Sequence, residues 1–232
     1  MEENAQVFSS GNKWKMPLSH AVCFLGGLML TLALILFSVL FLLTDTGLFH
    51  RALFKNVKWE AMAIPEEDLL TFAEETMAYF RDEKEAWQPV IHTGNGLLPV
   101  ADSFTAHMAT VKTGIKAAFH LALILSCSAL LLLMTSFCIL PGGFSKKGYL
   151  AGLLTPLLAA GVLCVIAAID FSSLWFWLHE NFIPDGIFSA GEPIMRMFPL
   201  SLFFSYITPL LLLLAAAVVL LSLPLLIRRK KP

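Results

Sequence analysis

Charge is scarce in this sequence: of 232 residues only 14% are Asp, Glu, Lys or Arg, against 57% hydrophobic. A soluble globular domain carries about a quarter charged residues, so a cytosolic enzyme, a nucleic-acid binder and a disordered regulator are all disfavoured. The net charge of −1 points to no polyanionic partner. Cysteine is scarce too. Cys23, Cys127, Cys138 and Cys164 all fall in apolar runs, which leaves the polar segments without a thiol for a disulfide, a CxxC redox pair or a thiolate metal site. Those segments also lack a GxSxG elbow, a Gly-rich phosphate loop and an SxxK pair. There is no Leu-x-(Ala/Gly)-Cys lipobox, so the chain is not itself expected to be a lipoprotein.

Apolar sequence is what the chain has in abundance, with a mean hydropathy of +0.75. A hydrocarbon core of ~30 Å is crossed by about 20 apolar residues in helical form. Four stretches meet that requirement without an internal charge: residues 21–43, 117–140, 149–169 and 203–227. Lipid satisfies no unpaired backbone amide, and runs without period-2 alternation do not build barrels, so these are expected to be helices. The first run is too long for a signal-peptide core and is followed by no small-residue cleavage pattern, so it reads as a retained anchor. The expected fold is all-α, a single polytopic membrane domain over residues 1–232 with four transmembrane helices and an extracytoplasmic helical cap.

Basic residues set the orientation. Lys13, Lys15, Lys146, Lys147, Arg228, Arg229, Lys230 and Lys231 occupy the two tails and the short loop that four crossings place on one side, which the positive-inside rule makes cytoplasmic. Residues 44–116 and 170–202 lie opposite and hold 15 of the 17 acids but only 8 of the 16 basic residues. The localisation expected is a bacterial plasma membrane, with both termini cytoplasmic and any active site on the extracytoplasmic face.

In the first outer segment, Pro65 followed by Glu66, Glu67 and Asp68 predicts a helix start. The helical spacing of Leu69, Leu70, Ala73, Met77 and Phe80 predicts an amphipathic helix lying on the bundle or the lipid surface. Gly94, Asn95, Gly96 and Pro99 break the chain, and Ser103 is placed to cap a helix that runs into the second span. The second outer segment is expected to continue the third span through Phe171, Leu174, Trp175 and Leu178, and residues 183–199 to fold back as a lid or re-entrant loop. Pro156, Pro209 and Pro224 should bend the third and fourth spans.

His107 lies ten residues before the second span and His179 ten residues after the third, so at ~1.5 Å per residue both emerge at a similar height. Two imidazoles at an interface make a reasonable acid/base pair near neutral pH. The bland alternative is that each, like His20, His50, His92 and His120, snorkels or bonds a carbonyl.

Several motifs resemble one family. The run Phe104-Thr105-Ala106-His107-Met108-Ala109-Thr110-Val111-Lys112 resembles an H-M-x-D-V-K element, with Thr110 in place of the Asp. Asp170-Phe171, then Trp175 with His179-Glu180, then Ile194, Phe198-Pro199 and Phe203-Phe204, is similar to a D-F…F-H-E…D-x-L-I…L-P…F-F pattern. Tyr79-Phe80 stands where that pattern has Tyr-Leu. These belong to the lipoprotein intramolecular transacylases, four-helix membrane proteins of Gram-positive bacteria. The resemblance implies transfer of the sn-2 acyl chain of a diacylglyceryl-cysteine lipoprotein to the α-amino group of the same N-terminal cysteine. It places His107 and His179 on the two catalytic histidines. Lys112 and Arg196 are the expected oxyanion or headgroup contacts with substrate. The expected partners are a diacylated lipoprotein and the bilayer, with no nucleic acid, no cofactor and no metal.

Two other readings remain open at this point. One is a metal-dependent membrane hydrolase or protease using His92, His107 and His179, although Ile183 stands where an HExxH motif starting at His179 needs its second His. The other is a non-enzymatic membrane scaffold or transporter subunit; the absence of charge inside the spans argues against transport.

Overall fold

A computed structural model of the chain describes residues 15–138, 140, 143–183 and 192–226. Helix α1, Lys15–Thr44, is 30 residues long and ends where the Asp45 backbone turns extended (φ −80°, ψ 112°). The Asp45 carboxylate then accepts from the Leu48 amide at 2.5 Å and caps α2, Thr46–Asn56. Pro65 precedes α3, Glu66–Phe80, whose first turn holds Glu66, Glu67 and Asp68. Past α3, Asp82 adopts a left-handed conformation (φ 67°) that Asp tolerates better than most residues, and the chain reverses there. A two-stranded antiparallel hairpin follows, β1 His92–Thr93 with β2 Gly96–Leu97, in register His92↔Leu97 and Thr93↔Gly96. Gly96 at φ 103° occupies a region closed to other side chains.

Helix α4, Asp102–Cys138, runs 37 residues without interruption, as the sequence predicts. It begins at Asp102, one residue ahead of the proposed cap Ser103. Helix α5 spans Lys146–Ile169 and α6 spans Phe171–Phe182; a 3₁₀ turn at Pro193–Met197, α7 at Leu200–Phe204 and α8 at Ile207–Leu226 complete the order.

One expectation is corrected and one is met. The third span does not continue into the second outer segment, because Asp170 (φ −148°, ψ 84°) breaks the helix and restarts it. Its carboxylate accepts from the Ser173 amide at 3.0 Å and from the Ser173 hydroxyl at 2.6 Å, a cap stronger than the apolar continuity on either side of it. The bend expected of the fourth span at Pro209 is present. Pro209 has no N–H for the Ser205 carbonyl four residues back, and the chain breaks at Ser205 and Tyr206, with the pair Pro193–Phe204 and Ile207–Leu223 bent by 42°. Three helices are thus long and apolar enough to cross a membrane among the described residues, or four if the bent pair counts as one. Residues 184–191 of the expected lid lie outside the described residues.

The chain forms two compact units. The first comprises residues 1–37, 120–163 and 214–232. Within it α1 and α5 meet backbone to backbone. A Cβ on Gly152 would collide with the Phe24 carbonyl and one on Gly148 with the His20 carbonyl, while one on Gly27 would sit 2.7 Å from the Tyr149 carbonyl. This close approach through small residues is how helices pack where there is no hydrophobic effect between them. The Tyr149 hydroxyl donates to the Leu221 carbonyl at 2.8 Å, and Cys23, Leu153 and Leu221 close around the ring.

The second unit, residues 38–119 and 164–213, contains the cap core. Phe49, Leu53, Leu69, Phe72, Met77, Trp87, Phe104, Ile194, Met197 and Leu202 are all buried in it. Helix α3 therefore buries its apolar face in a protein core of its own, against α2 in particular. The Trp87 indole N–H donates to the Thr76 hydroxyl at 3.1 Å, which satisfies both polar groups inside this core.

Candidate active site

Helix α4 presents Phe104 and His107 one turn apart, and α6 presents Trp175 and His179 with the i, i+4 spacing that stacks side chains on one face. The turn after the 3₁₀ segment supplies Phe198, and α7 supplies Phe203. These six rings close into a hoop. The His107 and His179 centroids are 6.1 Å apart; His107 meets the Phe104 ring at 5.9 Å, and Phe104 meets Phe198 at 5.5 Å. Phe198 faces Phe203 at 6.4 Å, Phe203 stacks on Trp175 at 4.2 Å, and Trp175 returns to His179 at 4.4 Å. Both imidazoles are buried, His107 at 8% exposure and His179 at 9%.

The His179 Nδ1 lies 2.9 Å from the Trp175 carbonyl oxygen. A carbonyl only accepts, so Nδ1 carries the proton and Nε2 holds the lone pair that takes one up. With their ring centroids 6.1 Å apart, the two imidazoles are near neighbours.

Lys112, one turn further along α4 than His107, is not part of the hoop. Its buried ammonium donates to the Lys84 carbonyl at 2.7 Å, pairs with Asp82 at 2.9 Å and lies 4.3 Å over the Tyr79 ring. Lys116 pairs with the other Asp82 oxygen at 2.7 Å. The hydrogen bond from Lys116, and after it that from Lys112, holds the Asp82 carboxyl below its ordinary pKa. Sequence reasoning missed Asp82, because nothing local marks a partner 30 residues from Lys112. Arg196 is exposed on the 3₁₀ turn between buried Ile194 and Met197.

His92 sits on β1 with its Nδ1 2.9 Å from the Asp68 carboxylate, which also accepts the His92 amide at 2.7 Å. The histidine trio of the metal reading is thus divided between the hairpin and the hoop, and no group of three His, Cys, Asp or Glu converges among the described residues. Ser173, one of the hydroxyls near the histidines, donates to Asp170 and serves the α6 cap.

Long apolar helices together with two buried imidazoles inside an aromatic hoop describe an integral membrane protein with its paired histidines held in an apolar surround. Residues 24–204 match the family described as lipoprotein intramolecular transacylase Lit, and the chain belongs to that family of acyltransferases. The structure is similar to that of the membrane integral lipoprotein intramolecular transacylase Lit from Bacillus cereus. Its TM-score is 0.66 at 13% identity, covering 88% of this chain and 93% of that one. A histidine-to-arginine variant of the same B. cereus protein gives a TM-score of 0.64 at 13% identity, covering 95% of this chain and 93% of that one. At this identity the likeness is one of fold. No curated protein matches the chain significantly.

Proposed function

We propose that this chain moves the sn-2 acyl chain of a diacylglyceryl-cysteine lipoprotein onto the α-amino group of the same cysteine, with His107 and His179 as the acid/base pair. An α-amine of pKa about 7.7 to 8.0 attacks only after losing a proton, and His179 Nε2 is the nitrogen whose lone pair its Nδ1 contact leaves available. The amine nitrogen bonds to the ester carbonyl carbon, the carbon–oxygen bond to the glyceryl group breaks, and the departing oxygen takes a proton from an imidazole. His107 is the second imidazole, placed to donate that proton or a hydrogen bond to the oxyanion. Donor ester and acceptor amine belong to one molecule, so proximity supplies the effective-molarity gain and no cofactor is required. Aromatic walls suit acyl chains and keep water from the ester.

Arg196 is the proposed substrate contact at the headgroup level. Lys112 would reach substrate only by releasing Asp82 and the Lys84 carbonyl, so its part in this reading is to fasten the turn at 82–84 to the helix that carries His107. The site is assigned to the extracytoplasmic face, where the excess of acids and the deficit of lysine and arginine put residues 44–116 and 170–202.

The observation that carries the reading is the 6.1 Å pairing of two buried imidazoles, one with its tautomer set by a backbone carbonyl. The test is expression in a lipoprotein-processing host without N-acylation enzymes, read by mass spectrometry of a lipoprotein's N-terminal peptide. Wild type should give the N-acyl-S-monoacylglyceryl form, and His107→Ala and His179→Ala should each lower its yield by about 100-fold or more at equal abundance. Wild type that inserts correctly yet leaves the diacylglyceryl form untouched sinks the activity. Full activity in either variant sinks the pair.

A further inference from the structure

Apart from Arg196, which is exposed on the 3₁₀ turn and also makes no ion pair among the described residues, the cations of the second unit sort into two groups. Arg81 pairs with Glu83 and Lys84 with Glu75, both at 2.7 Å, and Lys112 and Lys116 share Asp82 at 2.9 and 2.7 Å. Arg51, Lys55 and Lys58 make no ion pair among the described residues, and all three are exposed. They belong to one short stretch that holds no acid between Asp45 and Glu60. Arg51 and Lys55 stand at i and i+4 on α2, and Lys58 follows just past its C-terminal end. The other side of the stretch is spoken for, since Phe49, Ala52, Leu53 and Val57 are buried in the cap core.

Position argues for what meets this basic face. A single residue, Asp45, separates α2 from the end of a membrane-length apolar helix, so the stretch begins where headgroups begin. Phe54, 44% exposed, packs its ring 5.1 Å from that of Trp59 beside the cations, an aromatic and basic mixture suited to a membrane interface. We propose that Arg51, Lys55 and Lys58 dock the headgroups of anionic phospholipids in the surrounding leaflet. The pairing elsewhere is the contrast that matters: this unit neutralises Arg81, Lys84, Lys112 and Lys116 internally, and leaves unpaired the stripe next to the bilayer. The assignment is independent of the chemistry at the histidines.

The test reconstitutes the full chain into nanodiscs of equal parts phosphatidylglycerol and phosphatidylcholine and measures the lipids that stay bound by native mass spectrometry. Each cation near an anionic surface is worth about a fivefold change in affinity at low salt. Wild type should retain phosphatidylglycerol in clear excess, and the triple variant Arg51→Gln, Lys55→Gln, Lys58→Gln should retain the two lipids equally. A charge-conserving variant, Arg51→Lys with Lys55→Arg and Lys58→Arg, should keep the preference. Equal retention by wild type overturns the proposal, and so does enrichment that survives in the neutral variant. If the neutral variant keeps its lipid preference but loses binding of a lipoprotein peptide in phosphatidylcholine, the stripe faces the substrate's polypeptide and the lipid assignment is wrong.

Discussion

Replacing Lys112 by methionine keeps the aliphatic stem and removes the ammonium, so it isolates what that charge holds together. The side chain is only 10% exposed and makes a 2.7 Å bond to the Lys84 carbonyl and a 4.3 Å approach to the Tyr79 face. A hydrogen bond from a charged donor contributes about 1.5 to 3 kcal/mol. A shielded cation–π contact adds about 1 kcal/mol, of which a methionine sulfur over the same ring recovers roughly half. Asp82 is exposed and keeps Lys116, so its loss of one partner is left out of the sum. The expected net loss is about 2 to 3.5 kcal/mol, which for a chain of this size lowers the melting temperature by about 4 to 14 °C. A thermal melt in detergent followed by tryptophan fluorescence reads it, since Trp87 is buried in the same core. A shift under about 1 °C would mean that the ammonium contributes nothing to holding the turn at 82–84, and the reasoning would be refuted.

Glycines on α5 give an internally controlled pair. Gly152→Ala should destabilise the protein by about 1 to 3 kcal/mol, because the new methyl meets the Phe24 carbonyl and lies 2.9 Å from the Leu28 amide, both backbone atoms that cannot swing aside. Gly161→Ala has nothing within 4 Å and should be neutral or stabilising by up to about 1 kcal/mol through helix propensity, so equal melting temperatures for the two variants would contradict the packing argument. The pH dependence has a definite sign. The folded pKa of Asp82 is depressed by Lys116 and Lys112, so its stabilisation is fully present above the unfolded value of about 3.9 and is lost as pH falls through the lower folded one. Comparing wild type with Asp82→Asn across acid pH should show their melting temperatures converging only below about pH 4; a gap that closes between pH 7 and 5 would implicate another group.

Much of the fold is legible because lipid imposes simple rules. Three apolar runs became helices, the second inside a helix that starts well ahead of it at Asp102, since a run without charge has no other way to satisfy its amides. The Asp170 break was harder to read because apolar continuity masks it: Asp170 with Ser173 is a local cap written in a stretch that otherwise looks like uninterrupted helix. Pro209 announces its bend, although it acts four residues upstream, at Ser205. The histidine pair was within reach from height alone, ten residues outside each span, even though the helix carrying His179 restarts at Asp170. Partners distant in sequence were not: the Lys112 to Asp82 contact joins residues 30 apart, and the hoop draws on α4, α6, α7 and the turn at Phe198. Chain topology decides such meetings, and no periodicity announces them.

A closed ring of aromatic side chains has a tolerance that a polar network lacks. Each hydrogen-bonded member of a network must be one of a few residue types with its donors aimed, whereas a stacked ring needs only a flat body of suitable volume. Phe can stand for Tyr or Trp at Phe104, Phe198 or Phe203 with the same contacts in kind, provided a buried hydroxyl or indole N–H finds a partner. A site walled this way can let most of its letters drift while two imidazoles stay where they are.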